Sequence, residues 1–334
     1  MTGQDSNFQQ FNEGFVDVGQ GHSIYFAQHG NPEGIPLVLV HGGPGGQSYA
    51  SNVSIADLDR YNIIRFDQRG TGKSQYIDQM NGQTIANQVQ DMEGLRIHLG
   101  IDSWVMLGGS YGTTLSSHYR INYPENVSAH FMRAIFFGDT DGAEHIAGGG
   151  GVIQARNATQ SSRAMRILDQ AWLDYVSFPN IAGVPYGTMP LLAAYNMLIN
   201  HSDPAIVKEA GLRFDRMDTS IATALPNMDL IAGLDATPEE SVNLTRLFCH
   251  YAQSEFNESG RARIVAGLQA TKQIPTALIH GKQDYICPVN NAEFVKANCP
   301  EIVVRLVDDA GHSLADAPMY SAVKTVLKNY ALHV

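Results

Sequence analysis

The sequence predicts an α/β protein: a mostly parallel sheet with helices on both faces, interrupted by a helical insertion. Three observations carry that expectation. Short apolar runs of strand length alternate with segments of helical period through the first half of the chain, the mark of strand–helix–strand units. Several of these runs end in glycine-containing loops, His41-Gly-Gly-Pro-Gly-Gly46 and Gly108-Gly-Ser-Tyr-Gly112 among them. Strand-like runs then disappear for roughly a hundred residues and return near the end, as expected of one domain carrying an inserted one.

Taken in order, Ile35-Pro-Leu-Val-Leu-Val40 reads as a buried strand running into the first glycine-rich loop. Tyr61-Asn-Ile-Ile-Arg-Phe66 is a second strand, closed by the turn that begins at Asp67. Thr84 is placed to cap a helix whose Ile85, Val89, Met92 and Leu95 share one face. Trp104-Val-Met-Leu107 is a third strand, with a helix expected from Thr113. From Asp139 onward the pattern turns helical, and Gly148 to Gly151 reads as a flexible tract. Leu191 to Ile199 and Pro204 to Asp218 suit helices, separated by the break Asn200-His-Ser-Asp-Pro204. Strand signals return with Thr276-Ala-Leu-Ile279 and Ile302-Val-Val-Arg-Leu-Val307, and Tyr320 to Leu332 closes as a helix. The expected division is a core of residues 1–138 and 246–334 with a helical insertion of 139–245.

Composition narrows the function. With 22 basic against 33 acidic residues the net charge is −11, and no local basic patch stands out. Such a surface repels phosphate backbones and anionic membranes, so neither nucleic acid nor a membrane is expected as a partner. A small molecule or a short peptide is the better substrate, and the oligomeric state is left open. Three cysteines, none in a CxxC pair, make no disulfide framework. The start, Met1-Thr-Gly-Gln-Asp-Ser6, lacks the basic and apolar stretches of a secretory leader. A cytoplasmic protein is expected. No metal site is expected, because the twelve histidines include no H-E-x-x-H and no ligand-spaced Cys/His cluster.

The chemistry gathers around Ser110. Gly108-Gly-Ser-Tyr-Gly112 matches G-x-S-x-G between a strand and a helix, where a strained turn lifts a serine hydroxyl to a helix N-terminus. Serine needs a base and the base needs an orienting acid, following it in the order acid then histidine. Ile279-His-Gly-Lys-Gln-Asp284 and Asp308-Asp-Ala-Gly-His312 are both strands running into loops, so Asp284 is the expected acid and His312 the base. Asp308 and Asp309 are the alternative acids. In His41-Gly-Gly-Pro-Gly-Gly46 the glycines let backbone approach a substrate carbonyl, with Gly43 and Tyr111 N–H as oxyanion donors and Gly42 beside the substrate. His41 itself is expected to hold that loop. Asp67-Gln-Arg-Gly-Thr-Gly-Lys-Ser74 imitates a phosphate loop, but Asp67 stands where its first glycine must be. Asp67 and Arg69 are expected to tie loops together instead.

The set His41–Gly46, Asp67–Ser74, Gly108-Gly-Ser-Tyr-Gly-Thr-Thr-Leu115 and Ile279–Asp284 resembles the proline iminopeptidase family of α/β-hydrolases, over nearly the whole chain. The resemblance implies an α/β-hydrolase fold, a helical cap over residues 139–245, release of N-terminal proline through an acyl-enzyme, no cofactor, and a triad at Ser110, Asp284 and His312. The family holds the substrate's imino group with cap glutamates. One of its patterns falls on Met217-Asp218-Thr219 and Ala224-Leu225-Pro226, which makes Asp218 an amine anchor on a shorter arm. The other falls on Thr245-Arg-Leu-Phe248-Cys-His-Tyr-Ala252, where Phe248 replaces the glutamate. Glu255 and Glu258 lie close enough in sequence to stand in. Phe248 in the pocket would favour a neutral or acylated substrate, so an esterase, lactonase or amidase of the same build is the second expectation. A ligand-binding protein with little turnover is the third.

Overall fold

The computed structural model describes residues 8–184, 187 and 189–332, so the chain start read above for a leader lies outside the described residues. In chain order the elements are β1 (Gln10–Gly19), β2 (His22–Gly30), β3 (Ile35–Val40), β4 (Tyr61–Phe66), β5 (Gln75–Tyr76), α1 (Ile85–His98), β6 (Trp104–Gly109), α2 (Tyr111–Asn122) and β7 (Val127–Arg133). Among the described residues helices follow: α3 (Thr140–Ala147), α4 (Gly150–Ala158), α5 (Ser162–Ile181), α6 (Leu191–Ile199), α7 (Pro204–Ser220), α8 (Met228–Gly233), α9 (Pro238–Ser254) and α10 (Gly260–Ala270). The chain closes with β8 (Thr276–Gly281), α11 (Asn290–Asn298), β9 (Val303–Val307) and α12 (Ala317–Ala331).

The strands form one sheet in the order β1-β2-β4-β3-β6-β7-β8-β9, with the short β5 beside β2. From β4 to β9 all pairs are parallel, while β1, β2 and β4 pair antiparallel. Alternation along each central strand splits its side chains between two cores. Val38, Val40, Ile64 and Met106 pack on one face with Val89, Met92 and Leu95 of α1 and Leu115 of α2. Leu37, Leu39, Ile63, Val105 and Leu107 pack on the other with Met319, Val323 and Leu327 of α12. Both faces being covered explains why these strands read as unbroken apolar runs.

The strands expected at 35–40 and 61–66 and the helix at 191–199 have the expected bounds. Thr84 caps α1, its Oγ1 accepting from Asn87 N–H at 3.1 Å. The β1–β2 hairpin is absent from the expected elements: its outer strand is largely exposed, and the run Ile24-Tyr-Phe-Ala27 in β2 is short. Helix α2 begins at Tyr111 rather than Thr113, directly behind the serine.

The glycine tract is a correction. Gly148 to Gly151 is not a flexible loop: Gly148 ends α3 and Gly150 begins α4. A side chain on Gly149 would lie 2.0 Å from the Trp172 ring, and one on Gly151 2.1 Å from Tyr285 O. Close packing, not mobility, demands the glycines there. The boundary drawn at residues 245 and 246 falls inside α9, which packs against α7 as a single helix through Phe214 and Phe248. Helices α3–α9 meet the loops that leave the carboxyl ends of the strands. Tyr49 Oη donates to Glu240 at 2.8 Å, Gln79 Nε2 to Asn243 at 3.1 Å, and Ser313 N–H to Ala222 O at 2.7 Å. Among the described residues no helix is long and apolar enough to cross a membrane.

Candidate active site

Ser110 stands at the joint between β6 and α2 with φ 55° and ψ −129°, a left-handed conformation that costs a non-glycine residue about 1–3 kcal/mol. Ser110 N–H donating to Arg133 O at 3.0 Å and Thr113 N–H donating to Ser110 O at 2.8 Å hold it there. The flanking glycines are steric requirements, since a Cβ on Gly112 would lie 2.1 Å from Val40 O. The first glycine-rich loop passes over the serine so tightly that a Cβ on Gly42 would sit 2.9 Å from Ser110 Cβ. Gly43 follows at φ 123°, and Tyr111 N–H heads α2 with the positive end of its dipole.

His41 fastens this loop. Gln68 N–H donates to its Nε2 at 3.1 Å, which leaves Nδ1 to donate to Gly42 O at 2.9 Å. Burial lowers the His41 pKa, in keeping with a neutral ring. Asp67 accepts from Ser48 N–H and Oγ at 2.7 Å each and from Lys73 N–H at 2.8 Å, filling its turn with its own carboxylate. Arg69 forks onto Asp91 at 2.7 and 2.5 Å. Both residues therefore join loops, as their positions in the motif suggested.

Asp284 follows β8 and His312 follows β9. His312 Nδ1 lies 3.0 and 3.1 Å from the two Asp284 oxygens, and both residues are buried. Asp284 Oδ1 also accepts from Ile286 N–H at 3.1 Å and Cys287 N–H at 2.8 Å. Burial by itself would raise this carboxyl. The His312 ring, helped by His280 and Cys287 N–H, outweighs burial and holds it below its ordinary value. An ionised Asp284 keeps the proton of His312 on Nδ1 and leaves Nε2 as an acceptor. Asp308 and Asp309 are exposed and make no bond to His312. Among the described residues Ser110 Oγ has no hydrogen-bond partner. The two halves are joined through Arg133, whose carbonyl takes Ser110 N–H and whose Nη1 donates to His312 O. No motif marks Arg133; only its place at the end of β7, between β6 and β8, could have suggested it.

The expected substrate-binding residues separate. Asp218 is half-buried on α7, its carboxylate unpaired among the described residues. Burial, with the negative fields of Asp215 and Asp284, pushes it up to about 8. Its neighbour Asp215 is satisfied, accepting from Ser241 Oγ at 2.7 Å and Thr219 Oγ1 at 3.2 Å. Phe248 is buried 5.2 Å from the Phe214 ring, in the core between α7 and α9. Glu255 is not available as a stand-in anchor: its Oε2 accepts from Ile85 N–H at 2.9 Å and caps α1. Helix N-termini attract carboxylates, and this one is met by Glu255. Glu258 is exposed.

Comparison with known proteins bears on the fold and on the relatives of this chain. The family model for the alpha/beta hydrolase fold matches residues 35–147. The chain is 29% identical to the proline iminopeptidase of Neisseria gonorrhoeae, covering 94% of each chain. It is 29% identical to that of Xylella fastidiosa, covering 91% of each, and to that of Arabidopsis thaliana, covering 94% of this chain and 78% of that one. Among solved structures, an esterase from Exiguobacterium antarcticum superposes with a TM-score of 0.62 at 20% identity, covering 95% of this chain and 98% of that one. A proline iminopeptidase-related protein from Thermus thermophilus superposes at 0.58 with 19% identity, covering 96% and 97%. At such identities the structures speak for the fold.

Proposed function

Starting from an α/β-hydrolase related along nearly its whole length to the proline iminopeptidases, we propose that this chain is a serine hydrolase releasing N-terminal proline, or a similar small residue, from short peptides or amides. His312 Nε2 takes the Ser110 proton as Oγ attacks the scissile carbonyl. The oxyanion is met by Gly43 and Tyr111 N–H. As the C–N bond breaks, His312 returns the proton to the departing amine, leaving a prolyl ester on Ser110. Water then attacks that ester, His312 taking its proton, and proline leaves as Ser110 is reprotonated. Asp284 holds the imidazole tautomer and stabilises its charged form.

The observation that carries the amine requirement is Asp218, an unpaired half-buried carboxyl whose proton affinity is raised by burial first and then by the nearby Asp215 and Asp284. Such a group, protonated while it is unpaired, can release its proton as an ammonium arrives to supply the counter-charge. We take helices α3–α9 as the cap that presents it, extending the expected 139–245 to the end of α9. Three free buried cysteines support a reducing, cytoplasmic setting.

The test is kcat/KM on proline p-nitroanilide and on its N-acetylated form, with Ser110→Ala as the blank. A preference for the free imine is expected, of about 1–3 kcal/mol, the scale of one charge-assisted hydrogen bond. Asp218→Asn should abolish that preference. Equal rates in the wild type would instead favour the second reading, a neutral ester, lactone or amide substrate, for which Phe248 at a family glutamate position speaks. A chain whose Ser110 resists a fluorophosphonate probe would be a binding protein.

A further inference from the structure

Asp316 occupies the N-cap of α12 with the extended backbone of a capping residue (φ −76°, ψ 116°), yet its side chain makes no capping bond to its own helix. Aspartate is among the best N-caps, and giving up that bond costs about 1 kcal/mol. Its Oδ2 is engaged elsewhere. It accepts from Gly311 N–H at 2.7 Å and from Ala224 N–H at 3.0 Å. Gly311 immediately precedes His312. Ala224 lies in the segment that follows α7, the helix carrying Asp218.

The same seam is tied once more on the other side of the histidine, where Ser313 N–H donates to Ala222 O at 2.7 Å. It is also sterically closed: a Cβ on Gly311 would lie 2.7 Å from both Ala224 N and Thr223 C. The backbone on either side of His312 is therefore held by an acceptor that belongs to, or is shared with, residues 222–224. Arg133 fixes the His312 carbonyl from the third direction. A single carboxylate oxygen binding two N–H groups is the strong, charge-assisted form of this contact.

From this arrangement, and resting on the reading of His312 as the base for Ser110, we propose that Asp316 is a positioning residue for the reaction. It fastens the His312 loop to the segment after α7, so that one side chain, beside the Ser313–Ala222 backbone bond, helps set the imidazole relative to the Asp218 helix. A base displaced by an ångström can lose about a hundredfold in rate. Asp316 touches no reacting atom, and its effect should fall on kcat rather than on KM.

The experiment compares wild type, Asp316→Ala and Asp316→Asn, well below their melting temperatures, in two assays. One is kcat and KM on proline p-nitroanilide; the other is the rate at which a fluorophosphonate probe labels Ser110. Alanine is expected to lower kcat and the labelling rate together by about ten- to a hundredfold with KM little changed. Asparagine keeps an acceptor oxygen and should recover most of both. Proteolysis of the 222–226 segment should quicken in the alanine variant. If alanine does not fold, Asp316→Ser, whose shorter arm cannot reach both N–H groups, takes its place: a matched fall in kcat and labelling supports the proposal, and wild-type values in both overturn it. Alanine that melts earlier but keeps wild-type kcat and labelling would show a purely structural role. A wild type that labels but leaves proline p-nitroanilide intact would sink the peptidase reading while the labelling comparison still judges Asp316. A wild type that does not label would remove both.

Discussion

At the scale of single residues, Asp218 is the most informative side chain because its charge state is not the ordinary one. Its carboxyl is pushed up to about 8 in the folded chain, chiefly by burial, against about 3.9 when unfolded. Between those values the folded state holds a proton that the unfolded state has released. Stability conferred by that proton is present in full at low pH and declines as pH rises toward about 8. Asp218→Asn removes the dependence. Its melting temperature should exceed that of the wild type at pH about 8.5 and match it at pH about 4. Calorimetry at the two values is the check, and an equal offset at both would mean that the substitution acts through packing. The strand-end positions of Ser110, Asp284 and His312 were legible from their motifs, because each follows a strand and has a glycine close by in its turn. Asp218 and Phe248 became candidates through resemblance alone. The satisfied state of Glu255 could not be foreseen, since its partner, Ile85 N–H, lies 170 residues away in the chain.

At the scale of elements, two glycines in helices make opposite predictions. Gly94 lies within α1, where an added Cβ meets nothing within 4 Å. Gly94→Ala should stabilise the protein by up to about 1 kcal/mol, the helix-propensity difference. Gly151 lies within α4, where the same Cβ would sit 2.1 Å from Tyr285 O and 2.7 Å from Ile221 Cδ1. Gly151→Ala should cost about 1–3 kcal/mol, the usual range for forced overpacking. Urea midpoints measured side by side should move in opposite directions; a gain in both would mean that α4 can slide away from Tyr285. Both residues are glycines in helical sequence, and local pattern ranks them alike. What separates them is the neighbour across the interface. The same reasoning explains why the 148–151 tract reads as flexible in sequence and is tightly packed in the fold.

At the scale of the whole molecule, one guanidinium joins segments far apart in the chain. Besides its fork onto Asp91 of α1, Arg69 Nη1 donates to Gln20 Oε1 at 2.8 Å and to Gly82 O at 3.0 Å. Arg69 and Asp91 are both about 2% exposed. Asp91→Ala would leave the cation buried without its counter-charge, a loss of about 3–5 kcal/mol. Activity measured below the melting temperature should persist, because the pair includes none of the residues proposed as nucleophile, base and acid. A urea midpoint shifted by less than about 1 kcal/mol would mean that water reaches Arg69 in the variant.

The sequence by itself determined the class of sheet, pointed to Ser110, His312 and Asp284 as the candidate nucleophile, base and acid, and marked the stretch after β7 where the chain turns helical. Those features are local: an apolar run of one length, a glycine beside a strained turn, a charged residue at the end of a strand. Only the tertiary structure decided which carboxylates remain free. Asp67, Asp91, Asp215, Glu255 and Asp316 are each engaged by partners remote in sequence, while Asp218 is left half-buried and unpaired. Hydrogen bonds form between neighbours in space, and a carboxylate's neighbours are fixed only once the sheet has brought its strand ends together and the helices have closed over them.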